Sequence, residues 1–365
     1  MNPPLEKGGE GGFDVASFNA IYGHQKETAI LKNAISSNRV AHAYLFTGPD
    51  GVGKRLIALA FAKAMNCAEI DASGAGGALD SCGLCADCSM MEAGVHPNLI
   101  QIQPVDKDFE PDPDGIIKIA QVRELQESIR FRVERGKKTA IVVGADRMAL
   151  PAANAFLKTL EEPPASSVII LIASRTTELP ATIISRCQRI AFKPLPEGVI
   201  REFLVEKRGM ANEEALEVAR LSGGSIGAAV KYIGAGFPEK RKEALGAFLA
   251  LRANDTIGIL KLAEGLSKRD DLEDILESLK TLLRDRAVCL ALSPELAISK
   301  EGCTSGGGCT SGGGLFKNGG SVEKLCDSFS LIERARVDIM PPRYGNKQLA
   351  MDALLMGLAK NMAFL

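Results

Sequence analysis

Apolar positions in the first half of the chain gather into five short runs, at residues 44–47, 99–103, 139–143, 168–173 and 189–192, rich in β-branched, aromatic and aliphatic side chains. Runs of this length without polar alternation predict strands covered on both faces, as in a parallel sheet. Between most of them the period lengthens to that of a helix. The segment Arg55-Leu56-Ile57-Ala58-Leu59-Ala60-Phe61-Ala62-Lys63-Ala64-Met65 is a good helix former directly after the first run. Residues 151–162 carry Ala, Phe and Leu at helical spacing until Pro163-Pro164 stops them. Strands alternating with helices predict a three-layer α/β domain around a parallel five-stranded sheet.

Beyond about Pro196 the strand signals vanish and helical periods take over, as in Ile200-Arg201-Glu202-Phe203-Leu204 and Glu214-Ala215-Leu216-Glu217-Val218-Ala219. The break Gly234-Ala235-Gly236-Phe237-Pro238 predicts a hinge between a small helical domain and a last helical block. The expected domains are therefore 1–195, 196–236 and 237–365. In the last block Leu272, Ile275, Leu276 and Leu279, and Leu349, Ala353, Leu354 and Leu358, recur at helical spacing. That spacing fits a core within the chain or a subunit contact, and we take each residue as core. The hexamer Cys303-Thr304-Ser305-Gly306-Gly307-Gly308 is repeated at 309–314, and glycine at this density predicts a disordered insert over 302–320, to which no function is assigned.

With 365 residues and 46% hydrophobic content, the chain is too long for one small core and too apolar for disorder. Forty-four Lys plus Arg against 45 Asp plus Glu give a net charge of -1, which supplies no general pull toward DNA; any DNA contact must be local or shared. No uninterrupted apolar run long enough for a membrane span appears, and residues 1–12 lead into glycines rather than an apolar signal core, so a cytoplasmic, membrane-free protein is expected. Nine cysteines, an odd number with four crowded between Cys67 and Cys88, suit a metal site in a reducing compartment better than a disulfide framework.

Candidate chemistry begins at Gly48-Pro49-Asp50-Gly51-Val52-Gly53-Lys54-Arg55, between the first strand and the alanine-rich helix. Gly48, Gly51 and Gly53 let backbone amides turn toward phosphate oxygens, the helix N-terminus adds positive potential, and Lys54 would reach the β and γ phosphates. A working Walker A loop has Ser or Thr after the lysine to hold Mg²⁺; here stands Arg55, whose guanidinium cannot ligate a cation. The strand Ala140-Ile141-Val142-Val143 ends in Gly144-Ala145, where a hydrolase carries an acidic pair. Asp146 lies beyond the strand end and is expected as a helix cap or surface charge rather than a magnesium ligand. ATP binding in cis is therefore doubtful.

Cys82-Gly83-Leu84-Cys85-Ala86-Asp87-Cys88 together with Cys67 supplies four thiolates for one closed tetrahedral site. Structural zinc, an iron–sulfur cluster and free thiols are all compatible with that spacing. His24, His42 and His96 pair with no nucleophile at a recognisable spacing, and His96 is expected to shape the turn into the second strand.

Asn154-Ala155-Phe156-Leu157-Lys158-Thr159-Leu160-Glu161-Glu162-Pro163-Pro164, followed by Ser185-Arg186-Cys187, resembles the signature of the bacterial DNA polymerase III clamp-loader subunits, a branch of the AAA+ family. Similarity runs from Tyr22-Gly23-His24-Gln25 through His42-Ala43-Tyr44-Leu45-Phe46 to Asn346-Lys347-Gln348-Leu349-Ala350-Met351-Asp352. The resemblance implies an AAA+ P-loop domain, a helical lid and an all-α collar. Arg55, Gly144-Ala145 and the glycines of Gly224-Ser225-Ile226-Gly227, which stand where the active branch has a nucleotide-sensing arginine, point to its delta-prime type rather than to the ATP-hydrolysing gamma or tau type.

That resemblance further implies that Arg186 acts as an arginine finger in trans on a neighbour's ATP, and that the four cysteines hold structural zinc. The implied partners are gamma or tau and delta subunits in a hetero-pentamer, a sliding clamp, and primed DNA through the complex, which hydrolyses ATP while this chain does not. A gamma/tau-type ATPase is the alternative. A zinc-stapled nucleic-acid-binding module is disfavoured by the neutral charge.

Overall fold

The structure, a computed structural model, describes residues 17–69, 79–131, 135–234, 246, 255–269, 272–291, 322–339 and 346–362. In chain order the first elements are α1 (Gln25–Ser36), β1 (Ala43–Thr47), α2 (Lys54–Asn66), α3 (Ala86–Glu92), β2 (Leu99–Ile102), α4 (Ile119–Ile129) and β3 (Lys138–Val143). There follow α5 (Leu150–Glu161), β4 (Ser167–Ala173), α6 (Ala181–Ile184), β5 (Gln188–Ala191), α7 (Glu197–Arg208), α8 (Asn212–Leu221) and α9 (Ile226–Gly234). The last are α10 (Thr256–Ser267), α11 (Leu272–Ala291), α12 (Val322–Ile339) and α13 (Lys347–Met362).

All five expected strands form one parallel sheet in the order β2-β3-β4-β1-β5. Every residue of β1 and β4 is buried, as unbroken apolar runs demand. Alternate residues feed two different cores. Tyr44, Phe46 and Ile170 pack with Ile57 and Phe61 of α2 on one face. Ala43, Leu45, Ile169 and Leu171 pack with Val122 and Leu125 of α4 and Phe156 of α5 on the other. The first part of the chain is thus a three-layer α/β domain.

The described residues divide into two compact units, one drawn from 1–209 and 224–228, the other from 210–223 and 229–365. Helix α7 belongs with the sheet, whereas α8 belongs with the later helices. The second unit has its own core, in which Ile259 and Leu266 of α10 meet Leu276 and Leu279 of α11, Ile332 of α12, and Leu354 and Leu358 of α13. Helix α10 begins at Asp255, whose carboxylate accepts from Gly258 N at 2.8 Å, an N-cap. Leu272 and Ile275 also lie in this core, as expected.

Leu349 and Ala353 do not: both are exposed. In α13 the buried positions are Met351, Leu354, Leu355, Leu358 and Ala359, and the 349/353 pair lies on the opposite side of the helix. The hinge beyond Gly234 and the 302–320 insert fall outside the described residues. Among the described residues no helix is long and apolar enough to cross a membrane.

Candidate functional site

Strand β1 delivers the chain into a tight loop in which Gly48, Gly51 and Gly53 have φ of 145°, 71° and 106°. These values favour glycine, and space demands it too: a Cβ on Gly48 would run into the Phe192 carbonyl oxygen, and one on Gly51 into Ser225 Oγ. His24 braces the loop from outside, its Nε2 2.8 Å from Val52 O and its ring edge-on to Phe192. The loop opens α2 at Lys54, as the spacing predicts.

Lys54 is 5% exposed, and its Nζ donates to Gly48 O, to Pro49 O at 2.7 Å and to Ser174 Oγ at 3.3 Å. Burial lowers its proton affinity, against the pull of the Asp50 and Asp146 carboxylates. A phosphate reaching this ammonium would compete with the loop's own carbonyls. Beside the loop lies a cavity of about 540 Å³, walled by apolar Ile21, Val52, Leu56, Ile172, Phe203 and Ile226. Lys54, Arg55, Lys207 and Arg208 contribute cations and Asp50 the acid, so the lining suits a flat apolar group carrying an anionic tail. Tyr22 stacks edge-on against Phe203 at 5.2 Å and donates to Glu206 at 2.6 Å, a bond that, with burial, pushes its hydroxyl up to about 12.

The positions where a phosphate loop would hold magnesium carry other groups. Arg55 points a guanidinium nitrogen at Gln101 Oε1, 3.4 Å away. Gly144 has φ 65°, and a Cβ there would lie 2.9 Å from Pro104 Cγ, so an acidic side chain there would be strained and would push on the Pro104 ring. Asp146 accepts from Ser174 N at 3.2 Å and Arg175 N at 2.9 Å, the two residues that follow β4, so it ties that strand end in place rather than capping a helix. Gly227 donates its N–H to Gly51 O at 2.9 Å, and a Cβ on it would lie 2.9 Å from Gly51 Cα. Backbone packs on backbone there because both residues are glycine.

Arg186 follows the short helix α6, on the same α/β unit. One of its terminal nitrogens donates to Thr182 O at 2.9 Å and the other to Glu161 Oε1 at 2.8 Å, with the side chain about one-third exposed. Cys187 beside it turns inward, and burial pushes its thiol up to about 11.

The sulfur atoms of Cys67, Cys82, Cys85 and Cys88 all lie within 4.8 Å of one another. Cys67 Sγ is 3.9 Å from Cys85 Sγ, and Cys82 Sγ is 3.9 Å from Cys88 Sγ. A tetrahedron with metal–sulfur bonds of about 2.3 Å has edges of about 3.8 Å, so the donor set fits one zinc-sized ion. The backbone already points donors at the sulfurs: Cys82 N to Cys67 Sγ and Cys85 N to Cys82 Sγ, each 3.4 Å. Burial pushes the Cys67 and Cys88 thiols up. At Cys85 burial acts the same way but is outweighed by the amides of Cys88 and Ala68 and by neighbouring sulfurs, which bring it down to about 7. His96 stands outside the cluster; its Nδ1 accepts from Asn98 N at 3.0 Å, at the turn into β2.

Spacing did not reveal three further partners. Asp80, two residues before Cys82, accepts from Phe18 N and Asn19 N, both at 2.9 Å, and so fastens the segment whose next residues wall the cavity. Ser174 donates to Asp50 and links the end of β4 to the glycine loop. Glu161 holds Arg186. Each joins residues far apart in the chain, and nothing local signals them.

Comparison with known proteins adds an independent line. Residues 23–196 match a family described as DNA polymerase III, delta subunit. Over 180 residues the chain is 41% identical to DNA polymerase III subunit delta' of Bacillus subtilis (strain 168), covering 49% of this chain and 50% of that one. It is 36% identical over 209 residues to the delta' subunit of Pseudomonas aeruginosa, covering 56% and 59%. Over 277 residues it is 30% identical to the tau subunit of B. subtilis, covering 73% and 46%. The chain spans about half the length of these curated relatives.

Proposed function

We propose that this chain, similar over residues 23–196 to the family described as DNA polymerase III, delta subunit, and to delta' subunits, is a non-hydrolysing clamp-loader subunit of the delta-prime type that lends Arg186 to the ATP of a gamma or tau neighbour. One observation carries the reading: the glycine loop is intact while every magnesium-side part is replaced or occupied, with Arg55 at the hydroxyl position, Gly144 pressed against Pro104 in a left-handed conformation and Asp146 bonded to two amides. A site that keeps its shape and loses its metal suits a subunit that works on another's nucleotide. Arg186 brings a planar, permanent charge to the edge of the unit, and such fingers contribute on the order of 10³ to 10⁵ in phosphoryl transfer.

In this reading Cys67, Cys82, Cys85 and Cys88 hold structural zinc. Four protein ligands leave no open position for catalysis, so the metal supplies cross-linking alone. Segment 196–236 is a lid and 237–365 a collar for a hetero-pentamer with gamma or tau and delta. The assembly opens a sliding clamp and places it on primed DNA in the cytoplasm, with DNA affinity shared among subunits.

The test is ATP turnover with Mg²⁺, by the purified chain and by a complex with gamma or tau and delta subunits. Expected are no turnover by the chain alone and a loss of roughly tenfold or more in the DNA-stimulated rate of the complex on R186A. Turnover by the chain alone that K54A abolishes would instead establish the gamma/tau-type reading, which the similarity to tau over 73% of the chain keeps in view.

A further inference from the structure

Arg186 is anchored at two points. Thr182 O, one turn earlier, takes one terminal nitrogen at 2.9 Å, and Glu161 Oε1 takes the other at 2.8 Å. The first contact is local to α6; the second reaches 25 residues back to the final residue of α5. A carboxylate at a helix C-terminus faces the negative end of the helix dipole, so Glu161 weakens its own helix where it stands. Among the described residues Arg186 is the cation it meets.

Resting on the arginine-finger reading, we propose that Glu161 is the positioning residue for Arg186. A free arginine side chain has several rotatable bonds, and ordering it at the moment of phosphoryl transfer costs entropy. With Thr182 O and Glu161 fixing both terminal nitrogens, the plane of the fork is set before any neighbour docks. Five N–H donors on the guanidinium leave others for phosphate oxygens, so the anchors orient the group without consuming it. Glu161 itself never touches nucleotide.

The experiment uses the complex of this chain with gamma or tau and delta subunits, and compares E161A, E161Q and R186A in DNA-stimulated ATP hydrolysis. A half-exposed ion pair sets the scale, so E161A should lower kcat about two- to fivefold with KM for ATP unchanged. E161Q, whose amide oxygen still accepts, should recover part of that loss, and the melting midpoint of the chain alone should stay where it is in both variants. An unchanged or raised kcat in E161A, with R186A still impaired, would overturn the positioning role and leave the finger intact. An R186A complex as active as the wild type would remove the finger reading and this inference with it. A fall in kcat accompanied by a lower melting midpoint and unimproved in E161Q would mark Glu161 as structural only.

Discussion

In the proposed reading Lys54 is the part of a phosphate loop that is kept, and Gly144 stands where an acid would be. Lys54 is buried and satisfied by carbonyls of its own loop. Gly144 adopts φ 65° against Pro104, and Ala145 beside it is fully buried. Rebuilding an acidic pair here therefore meets two separate costs. Gly144→Asp forces a left-handed side chain into Pro104, at about 1–3 kcal/mol, and Ala145→Glu buries an unpaired carboxylate. The double variant with Arg55→Thr is expected to unfold at clearly lower urea than the wild type and to remain without turnover. An unshifted urea midpoint would mean the backbone relaxes freely and the lost acids are only a matter of side-chain identity. The glycines and the missing hydroxyl were legible in the sequence because a phosphate loop is a local object, with every part within eight residues. The bonds of Ser174 to Asp50 and of Arg186 to Glu161, spanning 124 and 25 residues, had no such spacing to betray them.

Among elements, the four-cysteine cluster does more than close a loop. It ends the segment that carries Asp80, and Asp80 holds the amides of Phe18 and Asn19, just ahead of the cavity-lining Ala20, Ile21 and Tyr22. Lys32 adds a bond to Asn19 Oδ1 at 3.1 Å and lies over the Phe18 ring. If Cys67 and Cys82 are released from a common metal ion, the backbone around Asp80 loses its nearest anchor. Stripping the metal with a strong chelator should speed hydrogen exchange at residues 18–22 about tenfold or more, each lost bond to a charged acceptor being worth about 1.5–3 kcal/mol, while β1 and β4 keep their protection. D80A with metal bound should reproduce the change. Equal exchange before and after chelation would separate the module from the cavity wall. Strand bounds were legible to within a residue or two because β1 and β4 are buried on both faces and leave unbroken apolar runs. Strand order was not, since it depends on which crossovers pack, and the stripe of Leu349 and Ala353 misled because the spacing of small and apolar residues on α13 does not say which side meets α10.

For the whole molecule the decisive quantity is charge. The net of -1 was legible at once, and it constrains function more firmly than the fold does, because affinity for DNA comes largely from releasing counterions with Lys and Arg. A subunit can belong to a DNA-handling assembly without binding DNA itself, and here 44 cations are matched by 45 acids. Several of the cations are already engaged, Lys54 by carbonyls, Arg186 by Glu161 and Lys63 by Glu92. In the proposed assembly, partners would supply the positive track and this chain position and one arginine. The isolated chain is therefore expected to bind a primed-template DNA weakly, with a dissociation constant above about 10⁻⁴ M at physiological salt and a shallow dependence of log K on log salt, since the slope counts phosphates neutralised. Fluorescence anisotropy of labelled DNA across 50–200 mM salt measures both. A steep slope would require a cationic track on this chain that its balance of charge conceals, and would move the DNA contact from the assembly to the subunit.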